Sequence, residues 1–319
     1  MTLPRLHGIV PPLPTPLLAD GSVDAPGVEH LVEFQVSAGV HGLWVLGTTA
    51  RFDMIPDSDQ RIVAERSIEA NDGRVPVVLN VSDQGTRRTL ERARLFDDLP
   101  CDYYAALPPW YLPLTRREIL DYFKSLADSL TRPLVIYNAP WVCNQLTLDE
   151  LRQLAEHPRI VGCKDVGPSL NATQAWTREE RVQQDFAYLA GNDNIDQATT
   201  LGADGFVSSL SNAYPELAVA IWDAARAGNR AVAGQLQAQW LRLAYAASLA
   251  PMLACLEVMC RHRGILDRML PAPLRTVDDA LARRILDLVD SAGELPQAHP
   301  SEGVGEVLRT GGDTRDENG

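Results

Sequence analysis

Along most of the chain, short aliphatic and β-branched runs alternate with longer stretches in which apolar positions recur every three or four residues. The apolar runs predict strands over residues 8–13, 42–46, 75–80, 102–107, 134–137, 160–164, 186–190 and 205–208. They are short and almost continuously apolar, the pattern of parallel strands buried on both faces. The periodic stretches predict helices over residues 25–37, 57–70, 116–130, 147–155 and 216–227. Gly39 and Gly73 follow two of them as C-terminal caps. Thr147, with Glu150 three residues on, opens another as a capping pair. Eight strand–helix alternations predict an α/β fold closed as a (β/α)8 TIM barrel over residues 1–228. From Ala231 to Asp290 the pattern is helical only, broken near Gly264, Pro271 and Pro273, so residues 229–295 read as a C-terminal helical appendage. Residues 296–319 are rich in Gly, Asp and Glu without periodicity, which predicts a disordered tail.

Composition narrows the class. Of 319 residues 45% are hydrophobic and 22% charged, which excludes a disordered or fibrous chain. A net charge of -13 leaves no basic face for nucleic acid or anionic lipid. No apolar run reaches the ~18 residues of a membrane span, and the first residues lack the pattern of a signal peptide. The five cysteines, Cys101, Cys143, Cys163, Cys255 and Cys260, form no Cys-x-x-Cys pair, so neither a disulfide framework nor a zinc site is indicated. The expectation is a cytoplasmic enzyme or small-ligand binder.

One imbalance points to chemistry. Among 29 basic residues only Lys124 and Lys164 are lysines. Arginine replaces lysine in ion pairs and at surfaces, yet it cannot lose its proton and act as an amine nucleophile. Lys124 falls mid-helix near Asp121 and Asp128 and reads as a solvated surface residue. Lys164 ends the sixth predicted strand, on the barrel face that carries active sites. Burial there depresses an amine's pKa and raises its nucleophilic fraction. The plainer reading pairs Lys164 with Asp165. Tyr137 ends the neighbouring fifth strand, where a phenol can shuttle protons to an imine intermediate; alone, it reads equally as a rim tyrosine bonded to backbone. Gly47, Thr48 and Thr49 follow the second strand as a turn whose N–H groups and hydroxyls form a carboxylate cradle. A proline-rich segment after the fourth strand sets Tyr111 at or over the mouth, alternatively as an apolar lid.

Taken together these segments resemble the dihydrodipicolinate synthase / N-acetylneuraminate lyase family of class I, pyruvate-handling aldolases. The likeness spans about Leu6 to Ile285 and includes the runs 8–16, 20–24, 39–43, 73–77 and 202–208. The resemblance implies a Schiff-base role for Lys164 and a catalytic role for Tyr137. It implies that Thr48 and Thr49 bind the pyruvate carboxylate and relay protons. Tyr111 matches a tyrosine that reaches a neighbouring subunit's site, which implies a homo-oligomer, dimer or tetramer. Gly191 and Val207 match positions lining the pyruvyl end. The substrates implied are pyruvate or another 2-oxo acid and an aldehyde, with no cofactor and no metal.

This chain departs from the family in three places. Ala50, Arg51 and Phe52 stand where the family continues with Gly-Glu, and Arg51 adds a cation at the rim. Val142 stands where dihydrodipicolinate synthases carry an arginine, and Val166 where sialic acid lyases carry a threonine. The acceptor end is therefore expected to be walled by Phe52, Trp141, Val142 and Val166 and to take an aldehyde less polar than a sugar. The competing readings are an authentic 4-hydroxy-tetrahydrodipicolinate synthase, disfavoured by Val142, a 2-oxo acid dehydratase, and a non-catalytic pyruvate-binding regulatory barrel.

Overall fold

The computed structural model describes residues 5–166, 175–191 and 193–297. Eight parallel strands curl in the order β1-β8-β7-β6-β5-β4-β3-β2. They are β1 (Gly8–Ile9), β2 (Leu43–Val45), β3 (Val77–Asn80), β4 (Tyr103–Ala106), β5 (Leu134–Asn138), β6 (Ile160–Asp165), β7 (Ala187–Ala190) and β8 (Gly205–Phe206). The remaining seam joins β1 to β2. There the His41 N–H donates to Ile9 O at 2.8 Å, Trp44 N–H to Pro11 O at 3.0 Å and Leu13 N–H to Trp44 O at 2.9 Å. The sheet is thus a closed (β/α)8 barrel.

The first strand is shorter than the apolar run 8–13 predicts. Val10 still donates to Phe206 O at 2.9 Å, but Pro11 and Pro12 carry no N–H, so the ladder toward β8 stops there. The eighth strand ends early because Ser208 caps a 3-10 turn over Ser209–Asn212.

Helices alternate with the strands: α1 (Ala25–Ser37), α2 (Asp57–Asn71), α3 (Thr86–Arg94), α4 (Arg116–Ser129), α5 (Leu148–Ala155), α6 (Arg178–Gln183), α7 (Ile195–Thr200) and α8 (Pro215–Arg226). The expected signals operate at their ends. Asp24 accepts from the Gly27 N–H at 3.1 Å, and Glu150 accepts from both the N–H and the hydroxyl of Thr147 at 2.7 Å. Helix α3 escapes the periodicity rule because it is short and polar and buries only Thr89 and Ala93.

Three further helices follow: α9 (Arg230–Ala247), α10 (Met252–His262) and α11 (Asp279–Asp290). The axes of α9 and α10 turn through 115° across the break at residues 248–251, where Pro251 prevents continuation. Among the described residues no single helix is long and apolar enough to cross a membrane. The tail expected from residue 296 lies outside the described residues after Gln297.

Candidate active site

Strand periodicity decides which side chains enter the barrel. In β6 Lys164 faces inward and Asp165 outward, since successive strand residues point to opposite faces. Asp165 accepts from Tyr188 Oη at 2.7 Å and from Asn138 Nδ2 at 3.2 Å on that outer side. The Lys164–Asp165 pairing is therefore not formed, and among the described residues no carboxylate forms an ion pair with Lys164. Register sets Tyr137 of β5 beside Lys164. The lysine Nζ stands 4.1 Å from the Tyr137 ring centroid and 4.9 Å from that of Trp44. Lys164 is 3% exposed, and burial lowers its pKa to about 7. The aromatic faces favour the cation by ~1 kcal/mol each, too little to offset that desolvation. Near neutral pH a substantial fraction of the amine is therefore unprotonated.

The loop after β2 is built to hold two hydroxyls. Leu46 takes a left-handed conformation (φ 59°), fixed by Asn80 Nδ2 donating to its carbonyl at 2.8 Å. A Cβ at Gly47 would lie 3.0 Å from Trp44 Cδ1, so a larger residue would have to push the indole back by a few tenths of an ångström. Thr48, Thr49 and Ala50 then form one 3-10 turn, whose opening N–H groups have no partner within it. Thr48 Oγ1 lies 3.2 Å from Tyr137 Oη, whereas Thr49 Oγ1 lies 2.6 Å from Ser209 Oγ. The hydroxyl next to the Tyr137 phenol is thus Thr48's rather than Thr49's, because the turn directs the two side chains to different walls. Burial pushes the phenol of Tyr137 up to about 12, so it is protonated at neutral pH.

A cavity of about 320 Å³ opens at this barrel end. Lys164, Tyr137, Thr48, Thr49, Gly191 and Val207 all line it, so six of the expected residues converge. Gly191 is required there: a Cβ would meet Val166 Cγ1 at 1.9 Å. Gly47 shapes the turn without lining the cavity.

Other expectations are corrected. Arg51 does not line the cavity; it caps the 3-10 turn in a left-handed conformation and pairs bidentately with Asp53 at 2.7 and 3.0 Å. Its charge is met two residues away, so it is not a free rim cation. Val142 folds back with its N–H on Ala139 O at 3.0 Å and does not line the cavity, whereas its neighbour Trp141 does. Phe52 is buried edge-on against Trp110, with ring centroids 5.9 Å apart, and is no acceptor wall. Tyr111, expected to act across a subunit boundary and so not among these corrections, is 83% exposed and does not line its own chain's cavity.

Several lining residues went unread in the sequence. Ser208 and Ser209 follow the eighth strand as Thr48 and Thr49 follow the second, so the strand-end rule that found the threonines applies equally to them. Asp193 borders the cavity, and the protein around its carboxyl raises its pKa. Ala244, Ala247, Ser248, Met252 and Leu253 come from the α9–α10 corner, with no local signal that they would reach the barrel mouth. Among the described residues no group of three or more His, Cys, Asp or Glu side chains is placed to hold a metal ion.

Comparison with known proteins identifies the family and the fold. Residues 5–291 match the model of the dihydrodipicolinate synthetase family. The chain is 28% identical to a probable 2-dehydro-3-deoxy-D-pentonate aldolase of Escherichia coli, over 92% of this chain and 99% of that one. It is 31% identical to a 4-hydroxy-tetrahydrodipicolinate synthase of Rhizobium meliloti, over 86% of this chain and 97% of that one. Among solved structures it superposes on a dihydrodipicolinate synthase of Bacteroides thetaiotaomicron with a TM-score of 0.85 at 26% identity, covering 91% of this chain and 100% of that one. A prophage protein of the same family from E. coli, solved with pyruvate, gives 0.83 at 26% identity, covering 90% of this chain and 98% of that one. With the family model spanning nearly the whole chain and lyases standing on both sides of the comparison, this protein belongs to the dihydrodipicolinate synthetase family of class I, pyruvate-dependent lyases.

Proposed function

We propose that this lyase joins pyruvate, or another small 2-oxo acid, to an uncharged aldehyde through an imine on Lys164, or runs that reaction in reverse. The observation that carries the reading is the buried amine of Lys164, with a pKa near 7, facing a cavity between Tyr137 and Trp44. The neutral amine attacks the 2-oxo carbon and water leaves, giving a protonated imine. That cation accepts the electron pair when a proton is lost from C3, and the enamine results. The enamine carbon then attacks the aldehyde carbon, and the new alkoxide takes a proton. Hydrolysis of the imine releases the 4-hydroxy-2-oxo acid and restores the amine.

Tyr137 is the proton carrier in this scheme, protonated at rest and passing its proton through the Thr48 hydroxyl. The pyruvate carboxylate sits on the opening N–H groups of the turn over Thr48–Ala50, with the Thr49–Ser209 hydroxyl pair beside it. Gly191 and Val207 shape the space around the methyl end. Tyr111 completes the relay from a second subunit, which makes the working form a homo-oligomer. Its high exposure supports this, as does the anchoring of its loop by Gln84, which accepts from the Trp110 and Tyr111 N–H groups. Five free cysteines support work in the reducing cytoplasm.

The test is reduction with borohydride in the presence of pyruvate. A reduced pyruvyl group is expected on Lys164 and not on the exposed Lys124. An unchanged intact mass from folded protein overturns the reading.

A further inference from the structure

The helical region beyond the barrel contributes part of the described lining of the cavity. From the corner between α9 and α10 come Ala244, Ala247, Ser248, Met252 and Leu253, which line it together with Trp141 and Val166. We infer that this corner selects the aldehyde and that it admits an uncharged aldehyde bearing an apolar tail. The inference rests on the imine reading of Lys164 given above.

Three observations support it. The cavity, at about 320 Å³, holds roughly ten waters at ~30 Å³ each, more than a six-heavy-atom 2-oxo acid fills. Among the described residues its charged lining consists of Lys164, which the imine occupies, and Asp193. A carboxylate or phosphate on the aldehyde would meet no further cation among them and would approach an acidic side chain. The corner itself offers one hydroxyl, on Ser248, against four apolar side chains. A polyol tail would find one protein hydroxyl among these corner residues, so its hydroxyls gain little there over their bonds to water. An alkyl tail loses nothing and gains burial. The two alanines leave depth, and Met252, at the exposed rim, has the flexible thioether that adapts to tails of different shape.

Condensation with pyruvate, measured as kcat/KM across acetaldehyde, butanal, glyceraldehyde, glyceraldehyde 3-phosphate and glyoxylate, tests the inference. Butanal is expected to exceed glyceraldehyde by ~10-fold or more, and the two anionic aldehydes to react most slowly. Ser248→Trp, at an exposed position, should lower the butanal-to-acetaldehyde ratio by ~10-fold. Met252→Arg should raise the glyoxylate-to-butanal ratio by a similar factor. Borohydride trapping of pyruvate on the wild-type enzyme and on both variants runs alongside. A preference for phosphorylated or polyhydroxylated aldehydes overturns the inference. So do ratios unmoved in both variants while the pyruvate adduct still forms. Absence of the adduct in the wild-type enzyme overturns the imine reading beneath it as well.

Discussion

Lys164 combines a stability cost with a chemical use. Its pKa falls from 10.5 to about 7 on burial, so between those values the unfolded chain binds more protons than the folded one. By linkage, this residue's penalty to folding is largest below pH 7 and fades as pH rises toward 10.5. At pH 7 the penalty is at most about 4 kcal/mol. Lys164→Met is therefore expected to melt above the wild type at pH 7, with the gap shrinking toward pH 10, while forming no pyruvate adduct. Equal melting temperatures at both pH values would contradict this. The rate of adduct formation in the wild type should rise with pH through about 7 and then level as the amine becomes fully neutral. For Tyr137→Phe the expected loss of turnover is ~10²–10⁴-fold, read in steady-state kinetics, with Thr48→Val nearer to it than Thr49→Val. That last ordering follows from the 3.2 Å contact between Thr48 and the phenol.

At the scale of elements, the seam between β1 and β2 lacks the regular ladder of the other strand pairs and holds one isolated bridge, Pro12 to Trp44. Strand β1 is two residues long, and the side chain of His41 reinforces its junction with β2: Nδ1 accepts from the Ile9 N–H at 3.1 Å while the His41 N–H donates to Ile9 O. Only a neutral ring can accept at Nδ1. Burial lowers the His41 pKa from 6.5 to about 4, and His7, whose ring stands 5.2 Å away, is also held low. The unfolded chain therefore binds the extra proton between pH 6.5 and 4. The contribution of His41 is whole above pH 6.5 and is lost as pH falls through about 4, roughly 3 kcal/mol at most. His41→Gln is expected to melt below the wild type at pH 7 and to flatten the acid side of its stability profile between pH 6.5 and 4. An unchanged acid limb would remove His41 from the account. Helices were unevenly legible. Residues 25–37 were delimited by periodicity and caps alone, whereas α3 was invisible because its burial rests on Thr89 and Ala93, which carry no apolar signal.

For the whole molecule, the surface near the barrel mouth carries Tyr111, Leu112 and Trp141 at 83%, 65% and 63% exposure. Asn144 ties their two loops together, donating to Leu112 O at 3.1 Å and accepting from the Leu114 N–H at 2.9 Å. Large apolar side chains held this way fit a contact with a second copy of the chain. Light scattering is expected to give a dimer or larger, and Tyr111→Phe to slow turnover without changing that mass. A fully active monomer would contradict the cross-subunit role. The sequence by itself determined the barrel, the lysine and its tyrosine neighbour, because strand period, strand ends and the scarcity of lysine are local properties of the chain. Tertiary structure decided the rest. The choice of Thr48 over Thr49 depends on how one turn seats against Trp44. The withdrawal of Arg51 and Val142 depends on pairings with Asp53 and Ala139 that spacing does not specify. The helical part of the cavity wall depends on a 115° corner more than a hundred residues from Tyr137, brought to the barrel mouth by packing on helices whose order in the sequence carries no record of what they face.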